Sequence, residues 1–362
     1  MASTTDSEVR PARRKTARRA GIFSAIVGVA VAGVAAGVAA ERMLVRRSRR
    51  QDDPFASEPF GKLACDEELT VTRPDGVDLH VELLKSETGP DDLTVVFVHG
   101  FCLDMGTFHF QRRAFEGRYR MVFYDQPGHG RSGRLEEGEY TLESLADGLA
   151  AVIEATAPTG RIVLVGHSMG GMTIMALAEK NVRLFAERVA GVALISTSAG
   201  NLDKVTFGLP EVVAKFRHPL MPLVRNAGKI TVAMVDRARK ASTDLAWLLT
   251  RRYGFGTEYP SPALVSYVER MNSATSAEVI ARYVRTLYTH ARLLALAALR
   301  TVPVLIVCGD VDLLTPLAHS HEICEALPGS ELVVVENGGH VALLEHADEV
   351  NAALGSFLRR VS

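Results

Sequence analysis

Arg161-Ile162-Val163-Leu164-Val165-Gly166-His167-Ser168-Met169-Gly170-Gly171 joins an apolar, β-branched run to a stretch with helical periodicity. A serine between them, in the pattern G-x-S-x-G, sits on a sharp strand-to-helix turn. Its backbone angles there are strained, and flanking glycines are required because side chains would collide with the strand and helix beside the turn. Such a turn lifts the hydroxyl above the sheet, and the helix start behind it offers free N–H groups to a developing negative charge. Ser168 is therefore a candidate nucleophile, with the Met169 amide as one oxyanion donor.

Outward from this stretch, short apolar runs alternate with helical ones. Glu68–Thr72 and Val77–Leu84 flank Pro74-Asp75-Gly76 and predict an antiparallel hairpin. Strands are predicted at Thr94–Val98, Arg120–Tyr124, Arg161–Val165, Val189–Ile195, Val302–Cys308 and Glu331–Val335. Helices are predicted at Thr107–Phe115, Leu142–Ala155, Met169–Glu179, Ala318–Ala326 and Ala342–Arg359. Near-continuous apolar strands between helices indicate an α/β fold with a mostly parallel eight-stranded sheet covered on both faces. Residues 201–300 hold no strand run and several helical periods, so a helical insertion is expected there. The body then comprises residues 61–200 and 301–362.

A serine hydroxyl needs a base. His340 follows the strand Glu331–Val335 and the turn Asn337-Gly338-Gly339, which places it at the sheet edge where Ser168 emerges. His319, His321 and His346 fall on helical stretches and read as surface residues, whereas His167, inside the turn, is expected to pack against the sheet. The base needs an orienting carboxylate, and Gly309-Asp310-Val311-Asp312 offers two, Asp310 directly after the strand and Asp312 further into the loop. A second oxyanion donor is expected after Thr94–Val98, where His99-Gly100-Phe101 would present the Phe101 N–H.

These motifs, together with Asp125-Gln126-Pro127-Gly128-His129-Gly130-Arg131-Ser132 and Gly309-x-x-Asp312-x-x-x-Pro316, resemble the α/β-hydrolase fold superfamily over nearly all of residues 60–362. The resemblance implies Ser168 as nucleophile, Asp312 as acid, His340 as base, Phe101 and Met169 as oxyanion donors, and residues 201–300 as a helical cap. It implies a serine esterase or lipase-like branch. Epoxide hydrolases and haloalkane dehalogenases carry aspartate where Ser168 stands, carbon-carbon bond hydrolases usually have a small residue where Phe101 stands, and the triple-glycine lipases differ after His99. Monoacylglycerol lipases, carboxylesterases and perhydrolase-like members share the Gly-His-Ser-Met-Gly-Gly pattern. The expected activity is cleavage of medium-chain or lipid-like carboxylic esters through an acyl-enzyme. The alternatives are a perhydrolase or haloperoxidase-like hydrolase of small esters and a non-catalytic ligand-binding protein.

The first 50 residues have another character. They carry 11 Lys and Arg against three acids, whereas the rest carries 30 against 39. An acidic body offers no footprint for a phosphate backbone, so no nucleic-acid partner is expected. Residues 21–40 form an uncharged apolar run that would reach about 30 Å as a helix, one bilayer core, and arginines flank it on both sides. It predicts a single-pass N-terminal membrane anchor; the alternative is a secretory signal cut near Val38-Ala39-Ala40. Residues 51–60 read as a polar linker. Cys65, Cys102, Cys308 and Cys324 lack metal-site or disulfide-scaffold spacing and read as ordinary buried thiols. No phosphate-cradling loop appears, so neither cofactor nor metal is expected.

Overall fold

The computed structural model of the 362-residue chain describes Met43 and residues 53–90, 92–206 and 243–362. The apolar run 21–40 lies outside the described residues, as do Phe207, Leu209, Phe216, Leu220, Met221 and Leu223 of the expected cap. The chain divides into two units, Met1–Gln51 and Asp52–Ser362, and the second carries the fold. Among the described residues no helix is long and apolar enough to cross a membrane.

One eight-stranded sheet runs through the body. Its strands are β1 (Glu67–Thr72), β2 (Asp78–Leu84), β3 (Leu93–Val98), β4 (Arg120–Tyr124), β5 (Arg161–His167), β6 (Val189–Ile195), β7 (Val304–Gly309) and β8 (Glu331–Val335). Their spatial order is β1-β2-β4-β3-β5-β6-β7-β8. The pairings of β2 with β1 and β4 are antiparallel, and the other five are parallel. The hairpin β1–β2 turns where Gly76 takes a positive φ of 82° and the Asp75 carboxylate accepts the Val77 N–H, as the Pro-Asp-Gly turn predicts.

Central strands β3 and β7 are buried at every position, which is why they read as unbroken apolar runs. Successive side chains face opposite ways. Val96, Val98, Leu164, Val192, Leu194 and Ile306 pack into one core with helices α2 (Leu142–Thr156) and α3 (Met169–Lys180). On the opposite face Phe97 stacks on Phe123 with ring centres 4.5 Å apart and meets Phe108. The chain start of α2 is fixed by Thr141, whose hydroxyl accepts the Ser144 N–H.

The structure departs from the expectations at four places. The predicted helix Thr107–Phe115 is a 3-10 turn, Met105–Phe108, followed by α1 (His109–Phe115); the Asp104 carboxylate captures the Gly106 N–H and tightens the start. A further short helix, α4 (Val182–Glu187), follows α3. The last predicted helix divides into two, because His346 adopts a non-helical φ of −121° and ψ of 49°. Residues 53–60 are also not a free polar linker: Phe60 stacks on Tyr267 at 4.6 Å, and the Asp53 carboxylate accepts from the Ser261 hydroxyl and the Ala263 N–H.

Between β6 and β7 the described insertion supplies α5 (Thr243–Gly254), α6 (Pro262–Ala274) and α7 (Ala277–Thr289). Ser261 and Ser276 cap α6 and α7, and Pro262 occupies the first turn of α6. Within these helices and their connections Trp247 is fully buried, while Leu249 and Tyr259 are exposed. The body resumes with α8 (Leu317–Ala326), β8, α9 (Ala342–Glu345) and α10 (Ala347–Val361).

Candidate active site

Ser168 stands between β5 and α3 with φ 53° and ψ −118°, a backbone state rare for a residue with a Cβ. Space enforces it. A Cβ on Gly166 would lie 2.6 Å from the Gly171 nitrogen, and one on Gly170 would lie within 2 Å of the Val98 carbonyl oxygen. The turn thus presses its own helix and β3 so closely that only glycine fits.

Two other loops converge on the serine. After β7, Gly309 meets the backbone of Gly338 and Gly339, so that a Cβ on Gly309 would sit about 2 Å from the Gly338 oxygen. This approach brings the loops after β7 and β8 together. Within them Asp312 and His340 are buried, whereas Asp310 is exposed. The structure thus separates the two aspartates that the sequence leaves in competition.

His340 Nε2 lies 2.9 Å from Ser168 Oγ, and its Nδ1 lies 2.8 Å from Asp312 Oδ2. With Nδ1 donating to the carboxylate, Nε2 is free to accept the serine proton. Asp312 is saturated with donors: Oδ1 accepts the Leu314 and Thr315 N–H groups, and Oδ2 also accepts the Thr315 hydroxyl at 2.8 Å. Burial pushes its carboxyl upward, but the facing His340 and the Thr315 bonds outweigh burial and hold it below the usual carboxylate range.

The expected oxyanion donors flank the serine. Met169 opens α3, where the first N–H groups have no partner within the helix. The Gly100–Phe101 segment runs beside the turn: a Cβ on Gly100 would lie 2.8 Å from His167 Nδ1 and 3.1 Å from Ser168 Cβ. Close approach, rather than an unusual φ, is what calls for glycine here. The Phe101 ring meets the rings of His129 and Tyr283 at 6.1 and 6.4 Å.

Histidines set the frame. Buried His99 accepts the Gln126 N–H at Nε2, so its Nδ1 donates to the Gly100 carbonyl at 2.8 Å. Burial, with His129 nearby, keeps it neutral by driving its pKa well below the usual value. His167 packs as expected, its Nε2 lying 2.9 Å from the His340 carbonyl oxygen; burial and the adjacent His340 lower its pKa to about 3. His319, expected at the surface, is buried and meets the Ser198 hydroxyl at 2.6 Å through Nδ1.

Several residues of the site escape a sequence reading. Thr315 touches both Asp312 and His340, and only the Asp-x-x-Thr spacing of a side-chain-capped turn hints at it. Glu345 accepts from the Gly339, Gly256 and Thr257 N–H groups, tying the His340 loop to the insertion. It reads as an ordinary helix glutamate. Of the four cysteines, Cys308 is buried, whereas Cys65, Cys102 and Cys324 are half-buried and not the buried thiols expected. Cys65, Glu68 and Glu82 bring their side-chain donor atoms within 4.8 Å of one another. Both glutamates there already carry ion pairs, to Arg131 and Arg112.

Residues 94–347 match the alpha/beta hydrolase fold family. Among curated relatives, a dihydrolipoyllysine-residue acetyltransferase component of an acetoin cleaving system from Cupriavidus necator is 30% identical over 279 residues. That match takes in 73% of this chain and 63% of the relative's length. A putative carbamate hydrolase, RutD, from Yersinia enterocolitica is 27% identical over 76% of this chain and 90% of its own. Among solved structures, a thermophilic esterase from Thermogutta terrifontis shares the fold with a TM-score of 0.62 and 24% identity, covering 82% of this chain and 99% of the esterase. The sheet order and the family match agree: the chain belongs to the α/β-hydrolase fold family.

Proposed function

We propose that this hydrolase of the α/β fold is a serine enzyme that cleaves carboxylic esters through an acyl-enzyme. The observation that carries the reading is the buried relay in which His340 faces Ser168 Oγ at 2.9 Å and Asp312 at 2.8 Å. Ser168 Oγ attacks the ester carbonyl and His340 Nε2 takes its proton. Asp312 holds the imidazole in the required tautomer and balances the imidazolium charge. The Phe101 and Met169 amides stabilise the oxyanion, His340 returns the proton to the departing alcohol, and water repeats the sequence to release the acid.

On this reading residues 61–200 and 301–362 are the catalytic body and 201–300 its cap. The preferred substrate is a medium-chain or lipid-like ester, supported by the apolar residues of the cap and the apolar run 21–40. That run serves as a single-pass membrane anchor. Membrane fractionation of the full chain tests the anchor: a soluble product starting near Glu41 speaks for a cleaved signal instead.

A fluorophosphonate probe tests the mechanism. It should label the wild-type chain at Ser168, fail on Ser168→Ala, and react far more slowly with His340→Ala. Efficient labelling of Ser168→Ala contradicts the assignment, and a wild type inert to the probe and to esters favours the ligand-binding alternative.

A further inference from the structure

Ser168 is gripped at both of its backbone groups by the end of the neighbouring strand. Its N–H donates to the Ile195 carbonyl at 2.9 Å, and its own carbonyl accepts the Thr197 hydroxyl at 2.6 Å. Ile195 is the last residue of β6. Between these two contacts Ser196 adopts a positive φ of 45°, with its N–H on the Val307 carbonyl and its buried hydroxyl without a hydrogen-bond partner. A left-handed serine off the catalytic relay costs energy unless something is gained elsewhere. Here the kink swings Thr197 back onto the nucleophile turn. Gly171 clears the path, since a Cβ there would lie 2.6 to 2.8 Å from the Thr197 side chain.

The Ser168 carbonyl and the Met169 N–H are the two halves of one trans peptide group. In such a group they point in opposite directions within a single rigid plane. Holding the carbonyl toward Thr197 therefore fixes the direction of the Met169 N–H. The carbonyl also accepts the Gly171 and Met172 N–H groups at 2.9 and 3.3 Å, but both belong to α3 and move with it. Thr197 ties the plane to the sheet. A hydrogen bond to the carbonyl also polarises the amide and makes its N–H a stronger donor. Thr197 is 1% exposed, and burying its hydroxyl without a partner would be unfavourable; its partner is this carbonyl.

We infer that Thr197 is a positioning residue that holds the Ser168–Met169 peptide in the plane required for oxyanion stabilisation. The inference rests on the serine mechanism proposed above. Thr197 touches neither substrate nor reacting atoms and acts through the Met169 amide.

The experiment uses the purified full chain with Thr197→Val, Thr197→Ser and Thr197→Ala. Kinetics are measured on p-nitrophenyl butyrate and inhibition with phenylboronic acid, whose adduct with a serine hydroxyl is tetrahedral. Deleting an oxyanion donor costs about 10²–10³ in kcat, so loosening one should cost about tenfold. Thr197→Val should lower kcat by that factor with KM within about twofold, and should weaken phenylboronic acid by the same factor. Serine and alanine both lack the methyl group, so Thr197→Ala should fall with valine while Thr197→Ser stays near wild type. This pair decides the matter even if the valine variant does not fold. Unchanged kcat in Thr197→Val, or equal losses in Thr197→Ser and Thr197→Ala, would show a packing role and overturn the inference. A Ser168→Ala chain that retains turnover defeats the serine mechanism itself, a separate result read on a separate variant.

Discussion

Asp312 Oδ2 and His340 Nδ1 stand 2.8 Å apart, both buried, across loops that follow two different strands. The contact fixes which imidazole nitrogen carries the proton. It leaves Nε2 to accept from Ser168 Oγ at 2.9 Å.

Asp312→Asn offers an amide where the carboxylate accepted, and a neutral group where the imidazolium needs a negative one. The expected loss in kcat is about 10³–10⁴-fold. Asp310→Asn changes an exposed side chain and should leave kcat within about twofold. Steady-state kinetics on the two variants give the ranking, and a reversed order would move the acid to Asp310.

Gly100→Ala should damage both the site and the fold. The added methyl carbon meets His167 Nδ1 at 2.8 Å and Ser168 Cβ at 3.1 Å, so the nucleophile turn or the Phe101 segment must give way. A displacement of this order is expected to lower kcat/KM about ten- to a hundredfold. The melting temperature should fall as well, because His167 is fully buried with its Nε2 held on the His340 carbonyl, and its ring cannot swing clear of the added methyl. Full activity in this variant would mean that the Phe101 segment plays no part in the reaction.

The sheet was readable because its central strands are buried on both faces and its hairpin carries a Pro-Asp-Gly turn. Ser168 and His340 were readable for a related reason: glycines mark close backbone approach, and both residues sit beside such glycines. What escaped depends on directions that sequence spacing does not encode. Thr197 reaches Ser168 across 29 residues through one hydroxyl. His319 sits in a polar helical stretch, yet one face of that helix turns toward Ser198. Asp310 and Asp312 differ in burial only once the loops after β7 and β8 are brought together. The break at His346 follows no helix-breaking residue; the preceding Glu345 is directed instead to the N–H groups of Gly256, Thr257 and Gly339.

His129 gives the protein an acid-sensitive element. Burial lowers its pKa to about 4 from the usual 6.5. As pH falls from 6.5 toward 4, the unfolded chain takes up this proton and the folded chain does not, so folding stability falls across that window and is unaffected above it. His129→Leu removes this contribution. Thermal melts at pH 7.5, 6 and 4.5 should show the variant gaining on wild type as pH falls, whatever their order at pH 7.5. Asp125 slopes the opposite way, since burial and nearby Asp104 raise its carboxyl, but it is present in both chains and leaves the difference intact. A gap constant across the three pH values would mean that folded His129 protonates freely.

Substrate chain length offers the sharpest division between the two esterase readings. A pocket under an apolar cap should gain roughly 0.8 kcal/mol for each methylene it buries, close to fourfold in kcat/KM per carbon while the pocket still has room. p-Nitrophenyl esters from two to sixteen carbons therefore should give a rising kcat/KM with a maximum at medium or long acyl chains. Removing the tail's contribution by shortening the acyl group should raise KM, because the lost contacts are made in ground and transition states alike. A maximum at acetate with a steep fall by hexanoate would place the chain with the small-ester, perhydrolase-like alternative. The Ser168, His340 and Asp312 assignments would survive that outcome, because they concern the ester carbonyl and not the tail attached to it.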